Sequence, residues 1–199
     1  MLAEAKLFCM KKSILFLILL IFLPFLVMAH DGDGSGFVAG IKHPVLGLDH
    51  LLAMLSVGIL SAQMGGKAIW TIPAIFVGIM LFGGLMGIGS DGIPFIETAI
   101  GLSVIVLGIA IALEKKSPLF LTMGVVGFFG FNHGFAHGVE MPALAHASQY
   151  AIGFILGTSI IHLIGVVIGH FATRTEQNSK TLQFVGAFIA GMGLHILIG

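Results

Sequence analysis

Charge is what this sequence has least of. Only 9% of its 199 residues are Asp, Glu, Lys or Arg, and the acids and bases cancel to a formal net charge of zero. A soluble globular domain carries about 25% charged residues, so this chain has too little polar surface to face water on all sides. The missing basic excess excludes a nucleic-acid binder, which needs a positive stripe. Cysteine is nearly absent too. The single one, Cys9, falls in the N-terminal targeting segment, which leaves the mature chain neither disulfides nor thiolate metal sites. No Gly-rich phosphate loop ending in Lys-Ser/Thr occurs, so ATP hydrolysis by the chain itself is not expected.

What is present is apolar. Hydrophobic residues make up 57% of the chain and the mean hydropathy is +1.10, so lipid is the expected solvent. The 29 glycines suit close helix packing in a membrane. The N-terminus reads as a cleavable signal peptide over residues 1–29: Lys11-Lys12, an apolar run from Ser13 to Val27, then small-residue Ala29. Met10 is an alternative start, and an uncleaved seventh helix is the alternative to cleavage. His30 would become the mature N-terminus, followed by a polar leader that runs to residue 44.

Six segments over residues 45–199 are long enough to cross about 30 Å of hydrocarbon. They run over 45–64, 67–89, 94–113, 118–139, 148–171 and 181–198, divided by turn or charge punctuation such as Gly65-Gly66-Lys67 and Ser90-Asp91-Gly92. The runs are continuous, not alternating, which predicts helices instead of barrel strands. The expected fold is therefore an all-α membrane protein, a six-transmembrane-helix bundle behind a cleavable signal peptide. With the leader outside, the inner loops hold Lys67, Lys115, Lys116, Arg174 and Lys180, whereas the outer segments hold only Lys42. That bias fits the positive-inside rule. Three helices followed by three also permit an inverted repeat.

Ionisable groups within such segments cost roughly 2.5–3.5 kcal/mol each on insertion scales, and therefore tend to line cavities or pair. Asp49 and His50 begin the first span, Glu97 the third, and His133, His137 and Glu140 lie on the fourth. The topology puts all of them, and His195, in the outer half. His162 falls near mid-depth. His133, His137 and Glu140 are spaced four and three apart, so they share one helix face, with about 6 Å of rise per four residues. Two imidazoles so spaced can share one metal or serve successive sites. Beside them Gly130, Gly134 and Gly138 form a small-residue ladder for a neighbouring helix. The plainer alternative is histidines that merely hydrogen-bond backbone carbonyls.

The second cluster is His43-Pro44-Val45-Leu46-Gly47-Leu48-Asp49-His50. Pro44 is expected to disfavour helix at His43, and Gly47 to loosen the start of the span, so that His43 folds back toward Asp49 and His50. This donor set suits nickel, cobalt, zinc or ferrous iron, and without cysteine it disfavours cuprous copper. Asp49 could ligate directly or orient an imidazole. Glu97 could be a ligand, a proton acceptor or a helix-start residue. His30 could chelate through its amine and ring, His146 reads as a loop histidine, and His162 and His195 read equally as path or packing.

At these residues the sequence resembles the HupE/UreJ family of nickel permeases. The resemblance rests on His43-Pro44 with Gly47, Asp49 and His50, on Pro94 with Glu97, and on His133-Gly134-Phe135-Ala136-His137-Gly138-Val139-Glu140-Met141-Pro142. Asn132 departs from the pattern, an aromatic residue being expected there. The resemblance implies secondary transport of nickel, or of cobalt in some members, in support of hydrogenase or urease maturation. The metal would be cargo, with no resident cofactor and no enzymatic activity. The expected location is a bacterial inner membrane with the mature N-terminus outside. Lipid and the metal ion are the expected partners, and a homo-oligomer is an open arrangement. An intramembrane metalloenzyme with Glu140 as general base is the rival reading. A channel for another cation is a third.

Overall fold

The computed structural model describes residues 36–115, 117–140 and 147–199, apart from the side chains of Glu140 and Ala147. The signal peptide, its cleavage site, His30 and His146 lie outside these residues. Seven helices and no strand occur among the described residues: α1 (Phe37–Leu46), α2 (Leu48–Met64), α3 (Ala68–Gly87), α4 (Ile96–Leu113), α5 (Leu119–Glu140), α6 (Ala147–Ala172) and α7 (Glu176–Ile198). Five of them, α3 to α7, are long and apolar enough to cross a membrane alone. The first expected span is different. In its place α1 and α2 meet at Gly47 with an 86° bend, and only as a pair do they have the length and apolarity of a span, as a broken span or a re-entrant loop.

That elbow corrects one expectation. Pro44 does not keep His43 out of a helix, because both residues lie inside α1, and the helical chain already begins at Phe37 instead of residue 45. Packing outweighs the proline's local cost. Gly40 lies against the backbone of Tyr150 and Phe154 on α6, Gly153 lies against Phe37 and Ile41, and Pro44 itself is buried beside Gly157. The break falls instead at Gly47, whose extended backbone (φ −85°, ψ 114°) ends one helix and begins the next.

The other helices pack in pairs: α3 along α5, α4 along α7, and α2 along α6. Glycine marks each contact. A Cβ at Gly134 would collide with the Met80 carbonyl oxygen and one at Gly138 with that of Gly84, so the ladder read from α5 does receive a neighbouring backbone, that of α3. Gly58 of α2 and Gly165 of α6 interlock, as do Gly108 of α4 and Gly186 of α7. Without a hydrophobic force between helices in lipid, such close backbone approach supplies the packing energy. α2 runs through the middle, buried without interruption from His50 to Ala62. The outward faces carry Phe82, Leu85, Phe120, Phe184 and Phe188, all exposed as a lipid-facing surface requires.

Candidate metal path

The elbow and α5 deliver their histidines to one place. The ring of His137 lies 4.7 Å from that of His43 on α1 and 4.3 Å from that of His50 on α2, centroid to centroid. His50 in turn lies 4.8 Å from His133. The four imidazoles thus form a file, His43–His137–His50–His133, in which each ring touches the next. His50, His133 and His137 are buried, and His43, half-buried, marks the more open end. Tyr150 and Phe154 wall the file on the α6 side, with the Phe154 ring 4.5 Å from His137 and the Tyr150 ring 5.6 Å from His43. A cavity of about 260 Å³ between α3, α5 and α6 reaches His137 along an otherwise mostly apolar wall.

Two hydrogen bonds decide which nitrogens the file presents. Asp49 Oδ1 accepts from the His50 backbone N–H at 2.8 Å and lies 2.7 Å from His50 Nδ1. A carboxylate can only accept, so the His50 proton sits on Nδ1, leaving the Nε2 lone pair free. That nitrogen is buried with no hydrogen-bond partner among the described residues. Gly47 makes room for this pair, since a Cβ there would come within 2.9 Å of both Asp49 Oδ1 and His50 Nδ1. Asp49 thus lies against His50 in the geometry of an orienting partner, and its carboxylate stands beside the file.

Ser103 does the same for His133. Its hydroxyl is 2.6 Å from the Ile100 carbonyl, to which it donates its one proton, and 2.9 Å from His133 Nε2. With that proton committed, Ser103 Oγ accepts from Nε2–H. His133 then presents Nδ1 as its lone pair, and Nδ1 too is buried without a partner among the described residues. A buried polar atom left unpaired costs about 1–3 kcal/mol. Two such nitrogens, each fixed in its tautomer by a dedicated partner, are what metal-ligating histidines require. Among the described residues no three His, Cys, Asp or Glu side chains close into a finished metal cage. The donors lie in succession instead.

The chain matches the HupE / UreJ protein family over residues 17–196. It belongs to that family. Among HupE/UreJ relatives, Protein HupE of Rhizobium leguminosarum bv. viciae is 40% identical over 179 residues, which cover 89% of this chain and 93% of that one. Chloroplast protein FOR GROWTH AND FERTILITY 2 of Arabidopsis thaliana is 27% identical over 205 residues, covering 82% of this chain and 55% of that protein. A stretch of 58 residues, 28% of this chain, is 41% identical to the fluoride-specific ion channel FluC of Helicobacter acinonychis. No solved structure matches.

In this HupE/UreJ chain the file gathers His43, His50, His133 and His137 of the expected site residues, with Asp49 beside it. Glu97 is not gathered: it stands exposed in the first turn of α4. Glu140 ends α5 one turn beyond His137, and its side chain lies outside the description. His195 is exposed on α7. Sequence reasoning missed Ser103. Its signal was faint, a lone hydroxyl in the apolar run of α4.

Proposed function

We propose that this multi-pass membrane protein is a secondary permease that carries a divalent transition metal, nickel first among them, inward across a bacterial inner membrane. The reading is carried by the file of touching imidazoles, two of which, His50 and His133, hold a buried ring nitrogen with no hydrogen-bond partner among the described residues. A divalent ion entering lipid depth must exchange its water for protein donors, and imidazole nitrogen suits nickel and its neighbours in the series. His43, at the more open end, captures the ion, with Asp49 supplying negative charge nearby. His137, His50 and His133 then offer one nitrogen after another. Pairwise sharing keeps each stop weak enough to leave, as conduction demands. The membrane potential, about 2.3 kcal/mol per charge per 100 mV and so about double for a divalent ion, can drive entry. Family membership and the similarity to Protein HupE support the assignment to hydrogenase or urease supply.

The test is uptake of radioactive nickel by cells expressing the chain, beside a His137→Ala, Glu140→Ala double variant at matched membrane abundance. Uptake by the wild type alone is expected. Equal uptake by both would remove the path from α5. Cobalt uses the same donors, so competition by excess cobalt measures how selective the file is.

A further inference from the structure

Beyond His133 the file meets an aromatic ring and then another histidine. Phe76 of α3 is fully buried, its ring centroid 5.6 Å from that of His133 and 5.1 Å from that of His162 on α6. His162 is 2% exposed. Its ring has the Thr158 carbonyl nearby, one turn back on the same helix, yet neither ring nitrogen completes a hydrogen bond among the described residues. Whatever its tautomer, a neutral imidazole keeps one lone pair. The Thr158 hydroxyl is likewise buried with no hydrogen-bond partner among the described residues, and four residues of separation put it on the same face of α6 as His162. A histidine kept only for packing would be replaced at a gain, because apolar side chains fill such space without the cost of unpaired nitrogens.

We propose that His162 is a second, inner binding station for the divalent metal ion, divided from the four-histidine file by the ring of Phe76. The proposal rests on the transport reading above. Thr158 supplies a hydroxyl oxygen on the same helix face. Phe76 is the partition: an apolar ring that interrupts the file of donors and excludes water from the gap, as hydrophobic constrictions do in channels. Its position is held from behind, since Gly130 of α5 lets the two backbones meet at Phe76 itself. A swing of this one ring joins the outer donors to the inner one. The ion then moves from His133 to His162 without entering the lipid.

The test uses the full chain, purified and reconstituted in liposomes, with nickel binding at equilibrium and initial uptake rate measured on the same preparations. His162→Leu should bind nickel at the outer file within about twofold of wild type, yet take it up at least about tenfold more slowly. It should be no less heat-stable than wild type, which separates loss of a station from loss of the fold. His162→Cys restores a donor of softer character and should shift the uptake preference from nickel toward cadmium. Phe76→Leu, which keeps the site apolar but thins the partition, should raise the uptake rate. Wild-type uptake in His162→Leu would overturn the inner station while leaving the outer path standing. Loss of equilibrium binding at the file in a stable His162→Leu protein would also overturn it. If the wild-type chain moves no divalent metal at all, the transport reading fails and the station with it.

Discussion

The two ends of the bundle treat their polar side chains in opposite ways. At the end carrying Glu114, that carboxylate accepts from Ser179 Oγ at 2.6 Å and from Gln183 Nε2 at 2.7 Å, tying α4 to α7. Gln63 Nε2 donates to the Ile111 carbonyl at 3.2 Å, although Gln63 Oε1 is buried without a partner among the described residues, and Thr175 caps α7 by accepting from the Asn178 N–H. The Glu114 pairs are exposed, where water would satisfy the same groups at little cost. At the other end, His50 Nε2 and His133 Nδ1 are buried, where water cannot help, and are left unpaired among the described residues. Stability alone would favour the reverse arrangement. Buried donors left without a protein partner at one end, beside exposed groups that are paired at the other, are the arrangement that the transport reading proposed above requires.

The contrast can be broken at either end. The largest effect should follow removal of two donors from the file. His50→Ala with His137→Ala should lower nickel uptake by more than the roughly 10–100-fold that losing a supporting partner costs, with membrane abundance as the control. Next comes Asp49→Ala, which frees the His50 tautomer and removes the nearby charge. Nickel affinity, read by equilibrium dialysis, should fall about 10–100-fold. Ser103→Ala should be milder, near the lower end of that range at about tenfold, and Ser103→Thr, which keeps the oxygen, should recover most of it. A Ser103→Ala protein with unchanged affinity would mean that the His133 tautomer does not matter. Smallest of all should be Glu114→Ala. It should cost less than about 1 kcal/mol of stability in a thermal melt and leave uptake within about twofold of wild type, since water replaces what is lost.

Much of this organisation was legible along the chain because it is written in local spacing. A spacing of four from His133 to His137 puts both on one face of α5, and the glycines at 130, 134 and 138 announced a close neighbour. The pairing of Asp49 with His50 needs no more than adjacency. What escaped notice depends on contacts between distant segments. Ser103 meets His133 across 30 residues of sequence, and no periodicity within α4 announces it. The place of Phe76 between His133 and His162 is set by three different helices. Pro44 misled for a related reason: its local preference against helix was read correctly, but the packing of α1 on α6 overrides it. A break in the chain before Asp49 was expected, and Gly47 supplies it where Pro44 does not.

The central claim is that the buried imidazoles are the nickel donors, and X-ray absorption of the nickel-loaded full chain tests it most directly. The spectrum should show scattering from two or more imidazole rings, and that signature should disappear in the His50→Ala, His137→Ala protein. A shell of oxygen donors alone, identical in wild type and variant, would contradict the account.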